Sequence, residues 1–208
     1  MSPVSDVILW IDRLGAVRVM TTDQLTIGGP KPGEKSDYQS VQAGISQQAC
    51  QLSLTSIGWN LSTQTGSGGD SDSSYLVTES TQVSLGSGVR VAVNKPMQLM
   101  QSVCLKVIST HRTDPKIDFL ILLPDFAFLS STEDAHVVFP GLSTTLMLVN
   151  RGGEIWYRVT ENDRALWSNS TDPLKPMTGE TQLDLDDYRL SCEPLALSSR
   201  HSYTSPQG

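Results

Sequence analysis

The residues with reactive side chains are few, and their spacing withholds most of the familiar chemistries. Hydrolysis by a Ser-His-Asp set needs a serine on a strained Gly-x-Ser-x-Gly elbow; Gly86-Ser87-Gly88 comes nearest and reads more simply as a hairpin turn. Of the three histidines, His136 lies in the alternation Ala135-His136-Val137-Val138-Phe139, where a hydrogen-bonded structural role on a strand face is expected. His111 stands in a polar junction and His201 in a polar tail. The three cysteines, Cys50, Cys104 and Cys192, are an odd number, far apart and without C-x-x-C spacing, so they read as small buried hydrophobes. Asp70 and Asp72 resemble the start of a calcium loop, yet the places that would need Gly and Glu hold Tyr75 and Thr81. No phosphate-binding Gly-x-x-x-x-Gly-Lys loop and no dinucleotide fingerprint occurs. The expectation is a protein without catalytic activity, metal or cofactor.

Charge narrows the partners. Fifteen basic against 22 acidic residues give a net charge of -7 and a pI near 4.8, the wrong sign for a protein that neutralises nucleic-acid phosphates. Residues 1 to 103 carry 6 basic and 8 acidic groups and residues 104 to 208 carry 9 and 14, so neither half has a basic excess. The longest apolar runs, Val7 to Ile11 and Phe119 to Leu123, fall far short of the roughly 20 residues of a membrane helix. The N-terminus has no basic stretch followed by a signal-like apolar run, which points to the cytoplasm. The expected partner is therefore another protein, phosphorylated or not.

The elements that must position any site are strands. Short segments rich in Val, Ile, Leu and Thr alternate along the chain, as in Val17-Arg18-Val19, Leu25-Thr26-Ile27 and Val89-Arg90-Val91-Ala92-Val93, and 16 Gly and 11 Pro leave no room for long helices. An all-β fold follows. A weak internal repeat runs through it: Ile45-Ser46 to Trp59 aligns with Leu142-Ser143 to Trp156 at a constant offset of 97 residues. Each copy reads as a β-hairpin whose returning strand carries a core tryptophan. The seam lies in His111-Arg112-Thr113-Asp114-Pro115-Lys116, where the apolar pattern breaks. The division expected is a first β-sandwich over 1–109, a linker over 110–116, a second sandwich over 117–197 and a disordered tail over 198–208. The Gly/Ser/Asp stretch 64–74 is expected to be a long mobile loop.

The order of Ile27-Gly28, a loop, Ile45-Ser46, a strand, a Gly turn, a Trp strand and then Leu85-Gly86-Ser87-Gly88-Val89-Arg90-Val91 resembles the forkhead-associated (FHA) domain, a β-sandwich reader of phosphothreonine. The whole chain resembles bacterial proteins with two such modules, the second more divergent; the junction Ser109-Thr110-His111-Arg112-Thr113-Asp114-Pro115 and the closing Ser191-Cys192-Glu193-Pro194 carry that likeness. The resemblance implies two tandem FHA-like sandwiches and places the phosphate-binding arginine at Gly29, the phosphate-contacting serine at Ser46, the next arginine at Gln47 and the bracing histidine at Ala49. In the second copy the corresponding places hold Ser131, Ser143 and Leu146. Glycine offers a phosphate dianion no charge-assisted hydrogen bond, so phosphothreonine binding is expected to be lost or weakened. What remains falls to Ser46 as a hydroxyl donor, Gln47 as a neutral donor and Lys31 as the cation, although Lys31 and Lys35 read first as solvated loop lysines. The function implied is a non-catalytic interaction or scaffold module, with a structural assembly protein as the alternative.

Overall fold

A computed structural model describes residues 4–31, 37–64, 73–161 and 173–195. The chain is all-β, with no helix among the described residues. Three sheets form it. The largest has eight strands in the order β18 (Gln182–Leu185), β19 (Tyr188–Pro194), β1 (Asp6–Ile11), β2 (Gly15–Met20), β12 (Phe119–Leu122), β10 (Val103–Val107), β9 (Arg90–Asn94) and β8 (Thr81–Ser84). A six-stranded sheet runs β11 (Thr113–Asp114), β4 (Tyr38–Val41), β3 (Gln24–Gly28), β5 (Cys50–Thr55), β6 (Gly58–Thr63) and β7 (Ser73–Leu76). The five-stranded sheet runs β14 (Val137–Val138), β13 (Phe126–Ser130), β15 (Thr144–Arg151), β16 (Glu154–Glu161) and β17 (Lys175–Pro176).

The two smaller sheets cover opposite faces of the large one where its central strands lie. On β2, Val17 and Val19 enter one core while Met20 enters the other; on β12, Ile121 faces the first of these and Leu120 and Leu122 the second. A strand buried on both faces has no polar side to alternate with, which explains the unbroken apolar run Phe119-Leu120-Ile121-Leu122-Leu123. One core unites Leu25, Leu52, Trp59, Val91 and Leu105 under the six-stranded sheet. The other unites Leu129, Leu146, Leu148, Ile155 and Leu190 under the five-stranded sheet, and Val7, Leu9 and Ile11 of β1 belong to it.

The pairing has the pattern of a pseudo-twofold running along the strands between β2 and β12. Those neighbours are parallel. Outward from them the antiparallel series β10, β9, β8 is matched by β1, β19, β18. The smaller sheets obey the same rule, since β4-β3-β5-β6-β7 and β14-β13-β15-β16-β17 share one connectivity, with β3–β4 and β13–β14 both parallel. Even single bonds repeat: Ile108 N–H donates to the Arg90 carbonyl at 2.9 Å, and Asp12 N–H to the Arg189 carbonyl at 3.0 Å. The first unit is thus β2 to β10 and the second is β12 to β19, closed by β1 from the other end of the chain.

Several expectations change in this light. The cores do not divide at 110–116: β1 lies within 1–109 but packs with 117–197, and Thr113–Asp114 forms a strand pairing with Val41 and Ser40. The hairpin repeat has an offset of 96, because Thr55↔Gly58 and Arg151↔Glu154 close the two turns. A one-residue slip in a strand reverses the face. Trp59 is fully buried in its core, and its counterpart is Ile155, equally buried; Trp156 points to the opposite face, half-buried, with the Arg151 guanidinium 5.4 Å from its ring centre. Ser73 and Ser74, expected in the loop, pair in β7 with Thr63 and Ser62. The rest of that loop, 65–72, and the tail expected over 198–208 lie outside the described residues, as do Lys35, Asp70, Asp72 and His201.

Two polar clusters join the units. Arg18 on β2 donates to both carboxylate oxygens of Asp6 on β1, at 3.1 and 2.7 Å, and to the Tyr38 carbonyl and Gln39 Oε1 of the six-stranded sheet. Burial raises the Asp6 pKa, and the Arg18 guanidinium opposes that rise. Farther on, Asp125 at the entry to β13 accepts the Ser102 N–H and hydroxyl at 3.0 and 2.6 Å. His136 spans the same junction, accepting the Phe128 N–H at Nδ1 (3.2 Å) and meeting the Ser102 carbonyl through Nε2 (3.1 Å). A carbonyl can only accept, so the proton sits on Nε2.

Candidate functional site

In each unit the loop leading into the long hairpin (β5–β6 or β15–β16) meets the turn of the outer hairpin (β8–β9 or β18–β19) at one rim of the sandwich. The first unit's rim begins at Gly28 and Gly29, where β3 runs against the incoming loop. A Cβ on Gly28 would lie 2.2 Å from the Gln47 carbonyl oxygen, and one on Gly29 would lie 2.5 Å from that of Ile45. Both contacts are with backbone, which cannot swing aside, so only glycine fits. Gly29 N–H donates to the Ser46 carbonyl at 2.9 Å, and the Tyr38 hydroxyl donates to the Gly29 carbonyl. Lys31 Nζ lies 5.5 Å from the Tyr38 ring centre, a cation–π contact.

Ser46 and Gln47 are exposed. Ser46 Oγ accepts the Gln48 N–H at 3.2 Å, and its own hydroxyl proton points to no acceptor among the described residues. Ala49, where the resemblance places a bracing histidine, is fully buried core. The turn Gly86-Ser87-Gly88 closes the rim: Ser87, at φ 46°, donates its hydroxyl to the Gly44 carbonyl at 2.8 Å. Beyond it, a Cβ on Gly88 would lie 3.9 Å from the His111 ring, which hydrogen-bonds Ser109 at 3.0 Å, and Ser109 Oγ accepts the Arg90 N–H. Gln42 N–H donates to the Arg112 carbonyl at 2.7 Å. The junction segment therefore packs on the rim. Lys31, Ser46 and Gln47 share this rim, while Gly29 lines it from beneath with no side chain to offer.

Sequence reasoning missed Arg90 and Arg112, both exposed on this rim and with no ion pair to a described carboxylate. The break in apolar pattern at His111-Arg112 was the available signal for the second; Arg90 carried none, being the outward residue of an alternating strand. Among the described residues Asp37 and Asp114 are acids on the same segments.

The second unit's rim is built alike and charged oppositely. Its outer turn places Asp186 at φ 53°, and the carboxylate accepts the Ser143 N–H and the Ser143 hydroxyl, both at 2.7 Å. Those bonds hold the Asp186 carboxyl below the usual carboxylate range. The Tyr188 hydroxyl donates to the Pro140 carbonyl at 3.1 Å, with the Arg13 guanidinium 5.8 Å from the Tyr188 ring centre. Arg189 Nε pairs with Asp184 Oδ1 at 3.4 Å across the exposed outer hairpin. Leu146 is fully buried, so that copy has no histidine brace either.

Elsewhere the polar groups are committed to structure. Ser102, His136 and Asp125 are the residue types of a hydrolase triad, but the serine hydroxyl donates to the aspartate and both histidine nitrogens are taken by backbone groups of Phe128 and Ser102, so no base faces a nucleophile. The three cysteines are buried free thiols, each pushed up to about 12 by burial. An open depression of about 530 Å³ beside the β1–β2 turn is lined by Trp10, Arg13, Asp118 and Arg189 among others, with both charge signs present. No helix among the described residues is long and apolar enough to cross a membrane. No family model, no curated protein and no solved structure matches this chain.

Proposed function

We propose that the chain is a non-catalytic protein-interaction module made of two FHA-like sandwiches in which phosphothreonine reading has been lost, and that the first unit's rim carries the recognition. The observation that carries this reading is the closure of Gly28 and Gly29 on the 45–47 loop: where a phosphate-pairing arginine would stand there is neither a side chain nor room for a Cβ. Loops at one end of a rigid sandwich are suited to recognition, since the sheets hold them while their side chains stay free. Free, buried thiols suit a reducing compartment such as the cytoplasm. Titration with a phosphothreonine peptide and its unmodified form tests the loss of phosphate reading; the two should bind within about tenfold of each other, 1.4 kcal/mol or less. A larger preference for the phosphorylated form overturns it.

A second reading, a structural protein whose units serve only each other or a twin chain, draws support from the shared eight-stranded sheet. Light scattering over a concentration series separates the two, because a closed symmetric assembly holds one stoichiometry without any added partner.

A further inference from the structure

We infer a separate binding site on the sheet face beside the β1–β2 turn: the open depression of about 530 Å³ there receives the ring of a neutral saccharide. Trp10 is the stacking platform, Ser191 and Arg189 are hydrogen-bond donors and Asp118 is the acceptor. The site does not depend on the rim for which protein recognition is proposed.

The pseudo-twofold sets this face against its counterpart in the first unit. The pair Trp10↔Ser191 matches Lys106↔Ala92, so Trp10 stands where the first unit has Lys106. Lys106 is committed to the fold, with Nζ 4.8 Å from the centre of the Phe119 ring on the next strand. Opposite Trp10 the next strand has only Ala16, and among the described residues no cation stacks on the indole. Trp10 is therefore 41% exposed, yet it is held: its Nε1–H donates to the Glu193 carboxylate at 2.7 Å, a charge-assisted bond that fixes the ring. A large apolar ring kept in one orientation and left open is preorganised for a ligand, because little side-chain freedom remains to be lost on binding.

The polar groups around it are held in the same way and incompletely used. One oxygen of Asp118 accepts the Ala16 N–H at 2.9 Å, in a seat that a Cβ on Gly15 would enter, 2.0 Å away. Its other oxygen has no hydrogen bond among the described residues, and neither has the hydroxyl of Ser191, which lies cross-strand from Trp10. Arg189 meets Asp184 through Nε alone, at 3.4 Å with both side chains largely exposed, so its other N–H groups are available. Asp118 and Arg189 are of opposite sign, and a ligand of either net charge is repelled by one of them. Hydroxyl groups both donate and accept, and so satisfy both residues. The C–H face of a pyranose ring supplies the apolar surface that the indole lacks.

Calorimetric titration of the full chain with maltotriose, cellotriose and triacetylchitotriose tests this, with adenosine and choline chloride as comparators. At least one of the three saccharides should bind with a dissociation constant of ~1 mM. That constant should be the same at low and high salt, because a neutral ligand brings no charge to screen. Trp10→Ala should abolish the binding. Asp118→Asn and Ser191→Ala should each weaken it by about threefold, the size of one modest hydrogen bond. Lys106→Ala, at the matching place of the first unit, should leave it unchanged. Each variant is checked for an unaltered thermal transition; should Trp10→Ala lower it, Trp10→Phe keeps a ring in place and should weaken binding about tenfold, since a smaller ring stacks less area. Binding by none of the three saccharides up to about 20 mM, or binding that survives the loss of Trp10, overturns the site. Adenosine or choline binding tighter than every saccharide overturns the saccharide as its occupant. These outcomes leave the module reading standing, and a phosphothreonine preference, which overturns that reading, leaves this site untouched.

Discussion

The two rims are the same construction at one end of the strands, and they part over the outer turn, which spans 85–89 between β8 and β9 and only Asp186-Asp187 between β18 and β19. Asp186 turns its carboxylate onto Ser143 and closes the second rim; Ser87, at an equally left-handed φ, caps the Gly44 carbonyl and brings no carboxylate to the 45–47 loop. A duplicated scaffold can therefore keep one copy as a filled, structural part and the other as an exposed surface without altering a strand. The cores beneath show the same division of labour. One is completed by a tryptophan and one by an isoleucine at the same hairpin position, and the second borrows β1 from the far end of the chain.

The sharpest way to break the comparison is to separate the units. Fragments 1–109 and 117–197 should each fail to unfold cooperatively by calorimetry, because the first loses Leu120 and Leu122 and the second loses Val7, Leu9 and Ile11 from its core. Next come the tryptophans. Trp59→Ala should destabilise by about 3–5 kcal/mol in chemical denaturation, the range for a buried aromatic, and Trp156→Ala by about 1 kcal/mol or less, since it loses mainly a stacked guanidinium. Removing the carboxylate of the central pair with Asp6→Ala leaves the Arg18 guanidinium buried and should cost about 3 kcal/mol, near the lower end for a broken buried pair because Tyr38 and Gln39 still accept from it.

A smaller effect is expected from His136. Its pKa is lowered, mainly by burial, and protonating Nδ1 would set a ring N–H against the Phe128 N–H. The unfolded chain takes up that proton near pH 6.5 while the folded chain resists it, so this contribution is complete above about pH 6.5 and is lost as pH falls below it. Thermal unfolding at pH 7 and pH 5 should show the loss, and His136→Gln, which can still donate and accept, should flatten it. The least perturbing change is Asp186→Asn: it should lower the transition temperature less than any of these, and a larger drop would mean that closing the second rim is a major part of its fold.

Alternation revealed β2, β3, β9 and β10, which present apolar residues at period two between turns, and a short unbroken apolar run revealed β1. The Gly turns and the parallel order of the two hairpins were also legible. Which face each strand shows was not. Matching Trp59 to Trp156 by type gave 97, and only the turn-closing pairs expose the one-residue slip that sends Trp156 outward. The exchange of β1 left no local trace either, for its hydrophobic pattern suits any central strand; the pairing Leu9↔Cys192 is a fact of distance along the chain. At the site, Lys31, Ser46 and Gln47 were readable as loop residues before a strand. Arg90 and Arg112 were not, since what assembles them is the packing of the junction on the outer turn.

The closing of the second unit by β1 also sets a schedule. Trp10 bonds Glu193 across 183 residues of chain, so on the ribosome β1 emerges long before the β19 it pairs with. Until then the outer edge of β1 has no partner, and contacts of such long sequence separation make folding slow. A nascent chain of this design is a natural client for a chaperone until β19 is released.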